Sequence, residues 1–213
     1  MGWSSAGVRQ AERLEATRTA IVAAATEQFG RQGYAETTMD RIAAAAGVAK
    51  GALYHHFPTK ERLFETVFEA TTAGLAAQVA ASVAAAADVW DTLSIGTQAY
   101  FDACSAGATA QIILKDGPAV LGWERWREID AAHFGQVMPG VLKAAMDQGL
   151  IAPQPIEPLA RLLLGAVTEA AAACASSATP AETGREHAAA FRSLIEGLRR
   201  SPRPPTQSRE SKS

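Results

Sequence analysis

Lys50, Gly51 and Ala52 stand side by side, and Tyr54, His55, His56 and Lys60 follow closely. A lysine ammonium donates to the acceptors on a guanine edge, while glycine and alanine permit close approach to bases or contact with a thymine methyl. Hydroxyl, imidazole and ammonium groups, supplied here by Thr38, Tyr54, His55, His56 and Lys60, satisfy phosphate oxygens without reading sequence. The set suits a nucleic-acid duplex, with Lys50, Gly51 and Ala52 toward base edges. For His56 a partly buried structural role is the alternative. His55 and His56 do not make a metal site, because adjacent residues on a helix do not face one ligand position. The chain has no glycine-rich phosphate loop and no nucleophile elbow. Asp116, Glu124 and His133 come nearest to an acid–base group, but Asp116 reads better as a helix cap and the others as solvated. No enzymatic activity, metal or cofactor is expected.

These side chains need a frame, and the stretch Thr37 to Lys60, TTMDRIAAAAGVAKGALYHHFPTK, provides one. Met39, Ile42, Ala43 and Ala46 recur at helical spacing, and Thr37 or Thr38 can cap the start. Gly47 ends that helix where a left-handed residue is needed. Val48 packs into the corner. A second helix follows from Ala49 to Phe57, with Ala52, Leu53 and Phe57 inward and Lys50, Tyr54 and His55 outward. Pro58 closes it, since the residue before proline is pushed away from α geometry. Counted from Met39, small Ala43 is fifth, Gly47 ninth and Leu53 fifteenth. That is the order of a helix-turn-helix whose second helix enters the major groove. An ordinary helical hairpin with a glycine turn has the same spacing.

The wording of this stretch narrows the choice. TTMDRIAAAAGVAKGALYHHFPTKERLF closely resembles the DNA-binding region of tetracycline-repressor (TetR) family regulators, over about Leu14 to Phe68. AAGV, the LYHHFPTKE run and the paired threonines are its most specific parts. The resemblance supports phosphate contacts for Thr38, Tyr54, His56 and Lys60 residue by residue. Ala49 departs from the family, in which serine or threonine often begins this helix, and a side-chain cap is lost. KDGPAVLGWERWREID also resembles a segment recurrent in one branch of the family's regulatory domains.

Hydrophobic residues make up 48% of the 213, dominated by alanine, which favours an all-α protein with closely packed helices. The expected layout is a three-helix helix-turn-helix DNA-binding domain over residues 1–59, with 1–10 a flexible arm. A larger helical ligand-binding and dimerisation domain over 60–200 and a disordered tail over 201–213 complete about nine to ten helices. Net charge divides unevenly. Seven basic residues face five acidic ones through residue 60, eight face sixteen from 61 to 198, and five face one beyond. A basic head on an acidic body fits binding to phosphate through one face.

Leu14, Ile21, Ala25 and Phe29 line a first helix that stops near Gly30 to Gly33. Thr59 caps a long helix from Lys60 to about Ala86, which links the two regions. Asp88 caps a helix to about Cys104, Ala108 to Leu114 is short, and Asp116-Gly117-Pro118 opens the next. Pro139 sits in the first turn of another helix, which Gly149 ends, and helices over Pro158 to about Ala175 and Glu182 to about Arg199 finish the chain. Trp90, Tyr100, Phe101, Trp123, Trp126 and Phe134, with Cys104, either fill a core or line an apolar pocket. The family resemblance favours a pocket for a small-molecule effector. Asp116, Glu124 and Asp130 nearby favour a cationic group over an anionic one. Leu162, Gly165, Ala166, Ala170 and Ala173, with Phe191, Leu194, Ile195 and Leu198, offer two faces for a four-helix homodimer interface. Cys104 and Cys174 read as buried small hydrophobes, with a redox pair the alternative. No apolar run approaches the ~20 residues of a membrane span, and the N-terminus lacks a signal-peptide core, so the expected location is cytoplasmic, with no membrane partner. The reading is a ligand-responsive repressor of a palindromic double-stranded DNA operator. A constitutive DNA-binding or architectural protein is the alternative.

Overall fold

Side-chain caps set the starts of three helices. Thr38 Oγ1 accepts from the Arg41 amide, Thr59 Oγ1 from the Arg62 amide, and Asp88 Oδ1 from those of Trp90 and Asp91. The computed structural model describes residues 5–105 and 107–199. In order the elements are α1 (Ser5–Glu36), α2 (Met39–Ala45), α3 (Lys50–His56), α4 (Lys60–Val83) and α5 (Val89–Cys104). A short α6 (Gly107–Thr109) runs into a π-helical turn (Ala110–Asp116), followed by α7 (Gly117–Phe134), α8 (Val137–Asp147), α9 (Ile156–Ser176) and α10 (Pro180–Glu196). Among the described residues the chain is all-α apart from one isolated bridge between Ile151 and Arg199.

Two expectations change at the N-terminus. Residues 5–10 belong to α1 rather than to a flexible arm, and residues 1–4 lie outside the described part, as does the tail over 201–213. Leu14 is exposed; the buried face of α1 begins at Ile21 and continues through Ala25 and Phe29. Gly33, at φ 77°, breaks the helix and turns the chain toward Tyr34.

Phe29, Tyr34 and Phe64 pack edge to face or stacked, tying α1 to α4. Beyond Phe68, α4 lies against α5 and α7, so it belongs to both halves of the molecule. The segment expected as a short helix over Ala108 to Leu114 is the π turn, continuous with α7. Gly30 sits so close to Ala108 that an added Cβ would lie 2.4 Å from the Ala108 Cβ, which makes this approach glycine's.

One correction concerns α9. With 21 residues and a mean hydropathy of 1.4 over its most apolar stretch, it is long and apolar enough to cross a membrane by length and composition. It packs against α5, α8 and α10 with Leu163, Val167, Ala171 and Cys174 buried, and Glu157, Arg161 and Glu169 interrupt its surface. The apolar content serves a bundle core.

Candidate nucleic-acid interface and ligand cavity

The interface is built from the inside. Met39, Ile42 and Ala43 on α2 and Leu53 and Phe57 at α3 are buried in one cluster with Ile21, Ala25 and Phe29. Gly47, at φ 66°, makes the turn, and the Val48 amide donates to the Ala43 carbonyl at 3.0 Å. Ala49 occupies the start of α3 without a side-chain cap. With Leu53 fixed inward, Lys50, Gly51, Tyr54 and His55 are exposed, whereas Ala52 and His56 are half-buried.

Lys50 Nζ lies 2.8 Å from Asp40 and 5.9 Å from the Tyr54 ring centre. The hydrogen bond to Asp40 raises its pKa further, so the ammonium stays charged but must share that carboxylate with any base edge. Thr38 caps α2 with a lone pair, which leaves its O–H free to donate. Its neighbour Thr37 is fully buried and donates to the Gly33 carbonyl at 2.8 Å. Lys60 sits 4.1 Å over the Tyr34 ring and donates to the Ala35 carbonyl at 3.4 Å. The His55 and His56 rings meet edge to face at 5.7 Å, and among the described residues no three metal-ligating side chains converge.

Two polar contacts brace the head and α4 against the segment from Asp116 to Glu128. The break at Gly33 aims the Tyr34 amide at Asp116 Oδ2, 2.7 Å away. Asp116 is therefore not the side-chain cap of α7 that the sequence suggests, because its carboxylate is committed across 82 positions of chain. Arg125 on α7 reaches Glu65 at 2.7 Å and Glu69 at 3.1 Å on α4, as well as Glu128 at 3.0 Å. The Arg125 hydrogen bond holds the Glu65 carboxyl below its ordinary range.

A cavity of about 430 Å³ opens between α4, α5, α7, α8 and α9, walled by Val79, Val83, Leu93, Phe134, Met138 and Val141 among others. Of the seven side chains expected to surround a ligand, it contains Tyr100 and Phe134. Phe101 and Cys104 are fully buried in the core instead. Trp126 donates its indole N–H to the Ile113 carbonyl at 2.8 Å and closes the π turn. Trp123, 56% exposed, stacks flat on Trp126 at 5.0 Å. Trp90 lies 4.5 Å beneath the Arg199 guanidinium. Trp123 and Trp126 border instead a groove on the outer side of α7. The void is bordered by small residues of α4 such as Ala76 and Ala80, and the alanine-rich half of that helix was the signal for it.

Asp130 also lines the cavity, with burial pushing its pKa up to about 6 and His133 and Arg127 pulling it back. Asp130, Leu164 and Thr168 border in addition an outer groove of about 490 Å³ between α7 and α9. Burial raises the thiol pKa of both Cys104, to about 12, and Cys174, so both stay protonated and unreactive.

Of the nine side chains expected between subunits, Leu162, Gly165, Ala166, Ala173 and Leu194 are exposed, with Leu162 the most open at 73%. Ala170 and Leu198 are half-buried. Phe191 and Ile195 face this chain's own core against α5 and α9, a correction to the expected second face.

A recognition helix held on a helical strut, with its small core complete, defines a helix-turn-helix DNA-binding protein. Comparison with known proteins gives the family. Residues 21–67 match "Bacterial regulatory proteins, tetR family", and residues 90–198 match "Tetracyclin repressor-like, C-terminal domain". A TetR-family transcriptional regulator of Pectobacterium atrosepticum, 30% identical, superposes with a TM-score of 0.78 over 90% of this chain and 98% of its own. The HTH-type transcriptional repressor KstR2 of Rhodococcus jostii is 29% identical over 62% of this chain and 66% of its own. The HTH-type transcriptional activator FasR of Mycolicibacterium smegmatis is 34% identical over 45% of each chain. The matches thus span under two thirds of these curated relatives' length. The chain belongs to the tetracycline-repressor family of transcriptional regulators.

Proposed function

We propose that the protein is a homodimeric repressor of a palindromic DNA operator, released when a small, mostly apolar molecule fills the cavity. The observation that carries this reading is the course of α4. It follows the recognition helix directly in the chain, its first turns pack against α1, which shares the head's core, and its later turns form one wall of the void. A molecule that prefers a shifted α4 weakens DNA binding through differential affinity alone, with a typical coupling of ~1–3 kcal/mol. Residues 1–59 act as the reading domain and 60–200 as the effector and dimer domain. Lys50 and Gly51 face bases, with half-buried Ala52 beside them, while Thr38, Tyr54, His55, His56 and Lys60 hold phosphates. The exposed small-residue stripe Leu162, Gly165, Ala166 and Ala173, with Leu194, meets its counterpart across a two-fold axis, setting two α3 helices ~34–36 Å apart. The protein works in the cytoplasm, unattached to membrane and without catalysis. Repression rather than activation follows the likeness to KstR2, the longer of the two curated matches described above.

The test is to select bound duplexes from a random pool and then screen compounds for release. A palindromic consensus bound by a dimer and freed by an apolar compound is the expected result. A bound consensus that no cavity-filling compound releases would leave constitutive binding as the function.

A further inference from the structure

The cavity has a chemical polarity that its apolar walls conceal. Among the described residues neither lysine nor arginine lines it, and its titratable members are Asp130, His133 and Tyr100. Half-buried Asp130 makes no hydrogen bond or ion pair among the described residues, and His133 and Arg127 are the cations near it. Tyr100 contacts Cys104 and is held neutral by burial. Asp116 and Glu124, the other acids the sequence placed near the site, are absent from the wall: Asp116 is bound to the Tyr34 amide and Glu124 is exposed.

We infer that the cavity takes an apolar molecule carrying a single protonated amine, whose head pairs with Asp130 at the mouth while its body fills the space between Val79, Leu93, Met138 and Val141. This rests on the reading of the cavity as an effector site. Asp130 borders both the cavity and the outer groove, so a charged head there keeps one side toward water while the tail is withdrawn from it. A half-buried carboxylate with no hydrogen-bond partner is partly desolvated, and a cation that pairs with it recovers part of that cost on binding. A carboxylate ligand meets the opposite situation on the cavity side, a like charge with no lysine or arginine on that wall, while Arg127 and Arg161 stand on the outer groove with Glu157 and Glu169. A neutral alcohol gains a hydrogen bond to Asp130 but no compensation of charge.

Decylamine, decanol and decanoate share one chain and differ at the head. Their affinities for the full-length protein, measured by calorimetry and by tryptophan fluorescence, test the inference. Decylamine should bind at least about tenfold tighter than decanol, and decanoate weakest, as a charge-assisted pair implies. In Asp130→Asn the amine and alcohol should bind within about threefold of each other. Equal binding of amine and alcohol by the unaltered protein, or tightest binding of decanoate, overturns the inference while leaving the cavity as a ligand site. An amine preference that survives in folded Asp130→Asn overturns it also. Should none of the three bind, the inference and the effector reading fall together.

Discussion

The reading head and the bundle behind it are both alanine-rich helical assemblies, yet they treat space oppositely. In the head Met39, Ile42 and Ala43 of α2 and Leu53 of α3 point into one cluster, with Leu53, Ile42 and Phe29 wholly buried. In the bundle, alanines and valines of α4 stand around an opening of about 430 Å³. A small domain must complete its core to be stable at all, whereas a larger one can leave a gap. The closed part holds a shape, and the open part can respond to what enters.

The largest expected effect tests that contrast directly. Leu53→Ala should destabilise the protein by about 2–5 kcal/mol in urea unfolding, since the head cannot collapse around the void. Ala76→Leu adds volume at the cavity and should change stability by less than about 1.5 kcal/mol, while blocking decylamine. A comparable penalty for both would erase the distinction between the halves.

On DNA, Lys50→Ala should cost about 10- to 100-fold only at particular base pairs, read from binding to a set of singly altered operators. Tyr54→Ala and Lys60→Ala should weaken all sequences alike, with a flatter salt dependence for Lys60→Ala. A uniform loss from Lys50→Ala would make it another phosphate contact.

Asp130 extends the comparison to pH. Its folded pKa, near 6, lies above the unfolded value, so its proton is held more tightly in the native state. Its contribution favours folding below the unfolded pKa, and that benefit is lost as pH rises through 6. At pH 8 Asp130→Asn should therefore be more stable than the unaltered protein by about 1–2 kcal/mol, an advantage that shrinks toward pH 4. Urea titrations at both pH values decide it, and an Asn variant no more stable at pH 8 would show that the carboxylate has a partner.

The smallest effect concerns the seam between the halves. Asp116→Ala leaves the Tyr34 amide without its acceptor, at a cost of about 1 kcal/mol. Hydrogen exchange at that amide should quicken, while amides of α9 and α10 keep their protection. Unchanged exchange would mean that another group has replaced Asp116.

Legibility in the sequence followed the same division. Gly47, Thr38, Leu53 and Phe57 were read correctly because each meets a local requirement: a positive φ, a cap, an inward face. Thr59, Asp88 and Gly149 belong with them. Asp116 misled because a cap and a distant hydrogen bond use the same carboxylate, and no local pattern reports a partner 82 positions away. The cavity was not legible in detail because it is defined by what small side chains leave empty, whereas the tryptophans singled out lie elsewhere, Trp123 and Trp126 on the outer groove and Trp90 under Arg199. Trp126 closes the π turn, and Phe191 and Ile195 looked like a surface stripe only because their cover, α5, is remote in sequence.

The head is held to the bundle by the Asp116 carboxylate on the Tyr34 amide, by the seating of Gly30 on Ala108 and by the rings of Phe29, Tyr34 and Phe64, while the Arg125 fork on Glu65 and Glu69 ties α7 to α4 behind it. The two polar ties differ in their response to the medium. Arg125 is substantially exposed and its grip weakens as ions accumulate, while the bond to the half-buried amide depends little on ionic strength. Raising salt thus loosens α7 from α4 while leaving the head's own seat in place, so the surrounding electrolyte acts on the same linking helix that borders the cavity.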